Sequence, residues 1–416
     1  MPLTGPDLRK LRAFEMTASL ASISRAAERL HLSQSAISQS VAGLECALGV
    51  PLFQRRRNGS FLTREGDVFH VRVERALRRI DGALKATAEI SRAGKTGGTP
   101  MPGNVTSVQI AALIAIDEYG SYSAAAEALG ISQPALNRHA RDIETNLRRP
   151  LFSRTPQGKS TTRAGRQLAR ELRLAIKEVQ YGQEELSAMK GESHGTIAIG
   201  ILPLGASLLL SQALGQLSVI YPRMRVRIRE SPFEALLNWL RTGVIDIIIG
   251  TLRPNPIADL NEMPLFPDPY CVVVRRDHPL CALHNVRGED LMDYEWILPR
   301  QDTPRRIALE ALFEDIGARP TTPIETSSMN VTRDLLINSD RVTLLSEDQI
   351  LFENRLGLLT ALSFHLPTSS RMIGLITRLD WLPTKLQETL LSALQELAIQ
   401  AQPLGGGDRL QALRNR

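Results

Sequence analysis

The sequence has few cysteines and no long hydrophobic segment, and each absence excludes a class of protein. Its 416 residues include three cysteines, Cys46, Cys271 and Cys281, an odd number without close pairing, so we expect no disulfide framework. No apolar run reaches the ~18 residues of a membrane span, and residues 1–11 lack the charged and then apolar pattern of a secretory signal. We therefore expect a cytoplasmic protein without a membrane partner.

Signatures of catalysis and of metal binding are also missing. The sequence contains no Gly-x-Ser-x-Gly elbow, no His-Glu-x-x-His pair and no phosphate-binding loop, which argues against an enzyme. Four residues have spacings that resemble a zinc site: Cys271, His278, Cys281 and His284. Cys271, however, lies in an apolar run typical of a strand, which would direct its side chain away from a loop histidine beside Pro279. We expect no metal and no cofactor.

Positive charge is concentrated in the first half of the chain. Residues 1–190 contain 28 Lys and Arg against 18 Asp and Glu, whereas the remainder contains 22 against 26. A basic segment joined to a mildly acidic one suggests that only the first half meets a polyanion, and nucleic acid is the most common such partner. A solvated basic face is the alternative explanation of the charge alone.

The most informative feature that is present is a repeat. Residues 22–66 recur at 121–165, always 99 positions later. The matching residues include Ser22/Ser121, Ala26/Ala125, Ala27/Ala126, Glu28/Glu127, Leu30/Leu129, Ser33/Ser132, Gln34/Gln133, Pro51/Pro150, Leu52/Leu151, Phe53/Phe152, Arg55/Arg154, Thr63/Thr162 and Gly66/Gly165. An ungapped repeat of this length indicates duplication of one module.

Each copy of the repeat predicts a helix-turn-helix followed by a two-stranded wing. In the third helix of the first copy, Ile37, Val41, Leu44 and Leu48 form an apolar face, and Leu136, Ala140, Ile143 and Leu147 do so in the second. Turns containing Gly59 and Gly158 follow. Long amphipathic helices are expected at about 64–90 and 163–189, with a flexible linker at 93–104 between the copies.

From residue 195 onward the pattern changes to alternating strands and helices. Strands are predicted at 196–201, 225–229 and 245–249, with helices at 207–221 and 233–242 between them. A second unit follows, with strands near 270–275, 296–298, 341–345 and 372–377, and a closing helix at 383–401. This alternation predicts an α/β fold with a largely parallel sheet.

These motifs resemble the LysR-type transcriptional regulators. Each repeat resembles their N-terminal winged helix-turn-helix through Ser-x-Ser-x-Ala-Ala-Glu-x-Leu, Ser-Gln-Pro-Ala-Leu, Glu-x-x-Leu, Pro-Leu-Phe-x-Arg and Thr-x-x-Gly. The second copy fits nearly throughout, with Asn137 where the family commonly has Ser. The first copy departs from the pattern at Ser35, the usual Pro position, and at Gln39, where a basic residue is common.

The resemblance implies two winged helix-turn-helix domains rich in α-helix, at 1–66 and 105–165, separated by a helix and flexible linker at 67–104 and followed by a dimerisation linker helix at 166–192. A two-lobed α/β effector domain similar to periplasmic binding proteins is expected at 193–402, with lobe I at 193–263 and 379–402 and lobe II at 264–378. Residues 403–416 are expected to form a disordered tail. The effector domain is similar to the branch that includes regulators of sugar uptake and of protocatechuate-type catabolism. Its effector would be an aromatic acid or a sugar-derived catabolite.

The resemblance and the residue chemistry together predict the contacts with double-stranded DNA. The N-terminal residues of a recognition helix enter the major groove, and arginines of the wing contact phosphates. The predicted DNA-binding residues are Ser33, Gln34, Ser35, Ser38, Gln39, Arg55, Arg56, Ser132, Gln133, Pro134, Asn137, Arg138 and Arg154. Any one of these residues alone could belong to a solvated helix face.

The effector is expected between the two lobes, at the carboxyl ends of strands and at helix N-termini, where free N–H groups favour a carboxylate. The predicted contacts are Leu204, Ser207, Ser231, Phe233, Thr251, Arg253, Thr303, Ser327 and Ser328. Helix capping is an equally good explanation for each Ser and Thr. Arg253 is the preferred partner of an anionic ligand.

Three classes of protein therefore compete: a ligand-responsive DNA-binding regulator, a solute-binding protein of a transport system, and an enzyme. We favour the regulator, a homodimer or homotetramer that binds DNA and a small molecule and acts with RNA polymerase at the promoter. The alternative is a cytoplasmic solute-binding sensor in which the first helix-turn-helix copy serves assembly only.

Overall fold

The computed structural model of the protein describes residues 7–56, 59–93, 102–155, 158–192, 194–202, 207–253, 255–301, 303–320, 324–346, 348–364, 366 and 371–401. The chain divides into two compact units. The first comprises residues 1–196 together with 223–225 and 241–244, and the second comprises the rest. No helix among the described residues has the length and hydrophobicity that a membrane span requires.

The first copy of the repeat has the predicted order of elements. It contains helices α1 (Leu8–Leu20), α2 (Ile23–Leu30) and α3 (Gln34–Leu48), strands β1 (Phe53–Arg56) and β2 (Gly59–Leu62), and the long helix α4 (Arg64–Ala93). Polar side chains start the short helices, because Ser22 and Ser33 accept hydrogen bonds from backbone N–H groups in the first turns of α2 and α3. The antiparallel pair β1 and β2 forms the wing, with Phe53 opposite Leu62.

The second copy repeats this order 99 residues later. It contains helices α5 (Ser107–Tyr119), α6 (Tyr122–Leu129) and α7 (Gln133–Leu147), strands β3 (Phe152–Thr155) and β4 (Gly158–Thr161), and the long helix α8 (Arg163–Met189). Of the predicted linker, residues 94–101 lie outside the described residues, and Pro102–Asn104 form a short 3-10 helix.

One hydrophobic core extends through both copies of the repeat. Phe14 and Phe69 of the first copy and Leu113 and Leu168 of the second belong to the same buried cluster. Burying one such side chain completely contributes ~1.5–3 kcal/mol. Much of this cluster lies where α4 and α8 pack against each other, so the long helices join the two copies into one body.

The part of the chain from residue 194 onward, which contains the second unit, has an α/β composition. Its strands are β5 (His194–Ile201), β6 (Arg223–Glu230), β7 (Ile247–Thr251), β8 (Leu260–Pro267), β9 (Tyr270–Arg275), β10 (Ile297–Leu298), β11 (Ile324–Glu325), β12 (Thr343–Ser346), β13 (Leu359–Ala361) and β14 (Met372–Arg378). Its helices are α9 (Ser207–Ile220), α10 (Phe233–Arg241), α11 (Gly288–Met292), α12 (Pro304–Ile316), α13 (Met329–Ile337), α14 (Leu351–Arg355) and α15 (Lys385–Ala401).

These strands form the sheets of two lobes. The first lobe has a five-stranded sheet in the order β6-β5-β7-β14-β8. In the second lobe β9 lies between β12 and β13, antiparallel to both, and the short strands β10 and β11 pair in parallel. A parallel bridge between Trp296 and Val342 connects these two groups of strands. The chain therefore builds two lobes, as predicted.

The predicted lobe boundaries and the largely parallel sheet are wrong. The sequence pattern assigns residues 264–378 to the second lobe, but β14 lies in the first sheet, between β7 and β8, and is antiparallel to both. β8 also extends to Pro267 in that sheet, whereas β5 and β7 are parallel. The error has a physical cause: an apolar run identifies a buried strand but not the sheet that the strand joins. The predicted tail, 403–416, lies outside the described residues.

Candidate DNA-reading surfaces and effector site

The recognition helix of the second copy, α7, begins after its cap residue Ser132. The side chain of Ser132 accepts a hydrogen bond from the backbone N–H of Ala135 at 3.3 Å. Pro134 lies in the first turn, where its missing N–H leaves no intrahelical bond unmade. Leu136, Ala140, Ile143 and Leu147 are buried, as predicted. The opposite face of α7 is therefore left for other contacts.

That opposite face brings the predicted polar residues together. Gln133, Pro134 and Arg138 are exposed, and Asn137 is half-buried. The side-chain amide of Asn137 donates to the carbonyl oxygen of Gln133 at 3.1 Å, within the helix itself. Amide and guanidinium groups form paired hydrogen bonds with adenine and guanine respectively, so this surface has the chemistry for reading bases.

The corresponding surface of the first copy lies on α3 and is uncharged. The side chain of Ser33 accepts from the backbone N–H of Ala36 at 3.1 Å, and its hydroxyl lies 2.9 Å from that of Ser35. Gln34, Ser35 and Gln39 are exposed, whereas Ser38 is half-buried. The structure thus presents a second polar helix face with different chemistry.

The wings place the predicted arginines on strands. Arg55 is opposite Ser60 in the first wing, and Arg154 is opposite Lys159 in the second. The side chains of Arg55 and Arg154 lie outside the described residues. Arg56 is exposed, and its guanidinium carbon lies 5.5 Å from the ring centroid of Phe61.

Sequence reasoning missed a carboxylate that connects each recognition helix to its wing. Glu45 Oε1 accepts from the backbone N–H groups of Leu52 at 2.7 Å and Phe53 at 3.1 Å. Glu144 Oε1 accepts from Leu151 at 2.7 Å and Phe152 at 3.0 Å. The repeated Glu-x-x-Leu motif was the available signal. These bonds fix the start of the wing relative to the recognition helix.

In the first effector lobe, the structure brings two predicted residues into contact. The guanidinium carbon of Arg253 lies 4.5 Å from the ring centroid of Phe233, a residue of the lobe core that is 8% exposed. Arg253 therefore covers one face of this ring. Thr251, at the end of β7, and Ser231 are half-buried. Leu204 and the side chain of Ser207 lie outside the described residues.

In the second lobe, the predicted residues lie at two helix N-termini. Thr303 caps α12 by accepting from the backbone N–H of Arg306 at 3.2 Å, and Ser328 caps α13 by accepting from Val331 at 3.4 Å. Because β10 and β11 are parallel, the segments that follow them begin at the same edge of the pair. Ser327 is exposed beside Ser328. Thr303 and Ser328, both predicted as effector contacts, are thus helix caps in the structure.

Sequence reasoning missed two further arginines of the effector domain, the half-buried Arg305 and the buried Arg371. Nη1 of Arg305 is buried without a hydrogen-bond partner among the described residues, and burial lowers the pKa of this arginine to about 10. Its neighbour Arg371 adds to the lowering, while Tyr270 opposes it. The Thr-Pro-Arg-Arg start of α12 was a signal, but the sequence did not show that Nη1 of Arg305 is buried.

Arg371 is paired, in contrast to Arg305. Its Nε donates to the carbonyl oxygen of Asp268 at 2.9 Å, its Nη2 contacts the carboxylate of Asp268, and the same Nη2 donates to Ser346 Oγ at 2.9 Å. Burial lowers the pKa of Arg371, but the charge of Asp268 and the contact with Tyr270 outweigh it and raise the pKa above its usual value. Arg371 therefore remains a cation held between the segments that connect the two sheets.

Comparison with known proteins decides the family. A family model for the LysR substrate binding domain matches residues 190–398, and a model for the bacterial regulatory helix-turn-helix protein of the lysR family matches twice, at residues 8–67 and 108–166. The chain belongs to the LysR family. As a LysR-family protein it is a DNA-binding transcriptional regulator with an effector-binding domain, and it is not an enzyme.

Similar proteins include other LysR-family regulators. The chain is 33% identical to the HTH-type transcriptional regulator GalR of Pseudomonas putida over 395 residues, which cover 94% of this chain and 97% of that protein. This alignment omits too few residues to leave out either helix-turn-helix copy. The chain is also 29% identical to the HTH-type transcriptional regulator GbpR of Rhizobium radiobacter over 246 residues, 58% of this chain and 81% of that one.

Among solved structures, a full-length OxyR variant from Pseudomonas aeruginosa is similar with a TM-score of 0.53. At 21% identity the match covers 69% of this chain and 96% of that one, so the similarity concerns the fold.

Two residues of the zinc-like spacing in this LysR-family chain, Cys271 and His278, form hydrogen bonds with backbone groups. The Cys271 thiol donates to the carbonyl oxygen of Leu345 at 3.1 Å. Both ring nitrogens of His278 are engaged by backbone groups, of Leu280 and of Asp340. Across the described part of the chain, no group of three or more His, Cys, Asp or Glu residues is arranged to hold a metal ion.

Proposed function

We propose that this regulator responds to a small organic anion, an aromatic acid or a sugar acid, bound between the lobes of the effector domain. The observation that carries the proposal is the buried guanidinium nitrogen of Arg305, which has no hydrogen-bond partner among the described residues. A buried cationic donor without a partner is unfavourable, and a carboxylate would supply both the missing acceptor and the opposite charge.

The position of Arg305 supports an anion site with contributions from both lobes. Arg305 is close enough to Arg371 for the charge of Arg371 to lower the pKa of Arg305. Arg371 immediately precedes β14, and the carbonyl oxygen of Met372 accepts from the backbone N–H of Leu252 at 2.8 Å. Arg253 therefore lies just after the end of β7, where Arg371 lies just before the start of β14. Arg305 and Arg371 are therefore neighbours, and the strand register places Arg253 at the same end of β7 and β14 as Arg371.

The helix N-termini strengthen this assignment. α12 begins next to Arg305, and its first N–H groups, together with its dipole, favour negative charge. An uncharged sugar would satisfy neither the buried guanidinium nor the helix terminus as well as a carboxylate would. We therefore favour an acid over a neutral sugar.

On the DNA side, we propose that Gln133, Asn137 and Arg138 read base edges in the major groove, with Ser132 and Pro134 orienting the start of α7. Arg154, Arg55 and Arg56 contact phosphates, which fixes register without reading sequence. Ser33, Gln34, Ser35, Ser38 and Gln39 form the corresponding surface on α3.

For the response, we propose that anion binding closes the lobes and shifts the equilibrium between two assemblies of a homodimer or homotetramer that bend DNA differently. The change in bending would alter the access of RNA polymerase to the promoter. An effector can shift this equilibrium only by its difference in affinity for the two assemblies.

A thermal-shift screen of aromatic carboxylates, sugar acids and neutral sugars tests the effector class. A ligand that binds only the folded protein raises its stability by ~2.7 kcal/mol at a concentration of ~100 times Kd. We expect stabilisation by an acid in the wild type and its loss in Arg305→Gln. Arg319→Gln is the matched control, because Arg319 is an exposed arginine of the same lobe that pairs with Glu310.

Stabilisation by a neutral sugar alone, or an unchanged acid response in Arg305→Gln, would contradict the proposed effector class. The alternative of a solute-binding sensor predicts that retention on DNA is weak and independent of sequence. A regulator that contacts several phosphates instead loses affinity steeply as salt rises and keeps a preference for its operator.

A further inference from the structure

The two helix-turn-helix copies contact each other at equivalent positions. The backbone N–H of Leu8, the first residue of α1, donates to the side chain of Ser107, the first residue of α5, at 2.8 Å. These positions differ by 99, the offset of the repeat. A contact between equivalent positions is expected where an approximate twofold axis relates the two copies and passes near that contact.

The ion pairs between the long helices obey the same symmetry. Arg72 Nη1 lies 3.0 Å from Glu178 Oε2, and Arg79 Nη1 lies 2.8 Å from Glu171 Oε2. Position 178 is the repeat counterpart of Arg79, and position 171 is the counterpart of Arg72, so the repeat offset converts one pair into the other. Contacts that exchange in this way define an isologous, twofold interface.

The charges of these pairs show why α4 joins α8 and not a second α4. Two α4 helices packed in the same way would place Arg72 against Arg79. Two α8 helices would place Glu171 against Glu178. Only the mixed pair gives two attractive contacts, and rejecting like pairs by repulsion is a common source of binding specificity. Ala76 and its counterpart Ala175 are fully buried between the two ion pairs, which allows close approach of the helices.

We propose that one chain contains a complete two-headed DNA-reading unit and that its target is an asymmetric duplex site with two unlike half-sites, one for each copy. This rests on the proposed function, in which the exposed faces of α3 and α7 read bases. Two recognition helices related by a twofold axis can bind two half-sites of one DNA duplex. In a dimer of identical chains the half-sites must match, but here the two surfaces differ.

The difference between the surfaces determines the asymmetry of the site. The equivalent positions are Ser35 and Pro134, Ser38 and Asn137, and Gln39 and Arg138. Gln suits adenine, whereas Arg suits guanine, so Gln39 and Arg138 favour different bases at corresponding positions. The linker helix α8, which we expected to join a second chain, already packs against α4 of the same chain.

The test begins with duplexes selected from a random pool by the full-length wild-type protein, followed by footprinting of two double variants. We expect a bipartite site without palindromic symmetry. Ser38→Ala with Gln39→Ala should remove protection of one half, and Asn137→Ala with Arg138→Ala should remove protection of the other. Each should weaken binding by ~10-fold or more, as expected for loss of a paired base contact.

The outcomes separate this proposal from the proposed function. A palindromic selected site would overturn it. So would an unchanged footprint for the first-copy variant together with loss of the whole footprint for the second-copy variant, although base reading by α7 would then stand. If neither variant changed the preference for the selected site, base reading itself would fail, and both proposals with it.

A charge exchange tests whether the helices pair within one chain. Arg79→Glu or Glu171→Arg alone should lower the melting temperature by a few degrees, and the exchange R79E/E171R should recover most of that loss. Mixing the two single-variant chains should give no recovery, because each then keeps its own like-charge pair. Recovery on mixing, or none in the exchange variant, would overturn single-chain pairing.

Discussion

Arg72 of α4 and Glu178 of α8 form an ion pair across the interface between the two helix-turn-helix copies, with Nη1 and Oε2 3.0 Å apart and side chains only 2% and 7% exposed. Glu185 accepts from Arg72 Nε at 3.0 Å. Burial lowers the pKa of Arg72, but the hydrogen bonds and charges of Glu185 and Glu178 outweigh it and raise the pKa. This arginine therefore remains charged inside the interface.

Replacing Arg72 with Met should destabilise the first unit strongly. The change removes a cation from both Glu178 and Glu185, and Glu178 keeps Arg75, at 3.1 Å. Breaking a buried pair completely costs about 3–5 kcal/mol, so we expect a loss of at least about 2 kcal/mol. Arg78→Met is the matched control, since Arg78 pairs with Glu74 on the surface of the same helix, where the two side chains are 70% and 50% exposed. The control should change the free energy of unfolding by at most ~1 kcal/mol. Urea unfolding followed by far-UV circular dichroism measures both, and equal effects would contradict the role assigned to Arg72.

Two glycines of the long helices should respond to alanine with opposite signs. At Gly182 a Cβ would lie 2.8 Å from Phe69 Cδ2 and 3.1 Å from the Cβ of Arg72, so Gly182→Ala should separate α4 from α8. Overpacking of this kind costs about 1–3 kcal/mol. At Gly82 a Cβ meets nothing within 4 Å, and Gly82→Ala should stabilise the helix by about 0.5–1 kcal/mol. Melting temperatures of the two variants provide the check, and an unchanged or higher melting temperature for Gly182→Ala would show that close approach at Gly182 is not required.

Arginines of the recognition helix and of the wing should affect DNA binding differently. Arg138→Ala should cost about 1–3 kcal/mol on the selected site and relax the preference at one base pair. Arg56→Ala should weaken binding to all sequences alike and reduce the slope of log affinity against log salt by about 1. Titrations on operator and random duplexes over a range of salt distinguish the two effects. An equal loss on both duplexes for Arg138→Ala would remove this residue from base reading.

His278 should make the effector domain less stable in mild acid. Its Nδ1 accepts from the backbone N–H of Leu280 at 3.1 Å, so the ring proton is on Nε2, which donates to the carbonyl oxygen of Asp340 at 3.1 Å. Burial lowers the pKa of His278 below its ordinary value, although Asp340 opposes the shift. The folded state thus binds this proton less readily than the unfolded state does.

The sign of the pH dependence follows from this difference. The stabilising contribution of neutral His278 is complete above the unfolded pKa of 6.5 and is lost as the pH falls from there towards the lower folded pKa. Denaturation at pH values between about 8 and 5 should show this loss in the wild type, and His278→Gln should reduce it. A steeper loss in the variant would contradict the assignment.

The recognition surfaces could be predicted because their determinants are local. The buried stripe of α7 and the capping by Ser132 depend on residues within a few positions of one another, and the structure places both as expected. The candidate effector site could be predicted less completely. The structure places Thr303 and Ser328 at helix starts, as the sequence indicates. Arg305 was missed because its neighbours Tyr270 and Arg371 are distant in sequence.

Patterns among neighbouring residues were sufficient to predict the duplicated helix-turn-helix, its caps and wings, the family and the α/β alternation, since helix and strand periodicity is a local property. Only the tertiary structure shows that α4 pairs with α8 and that β14 returns to the first sheet, between β7 and β8. In both cases the partners are about a hundred residues apart, and complementary charge, close packing and strand register determine which elements pair. A local sequence pattern cannot predict this, because it is compatible with several partners.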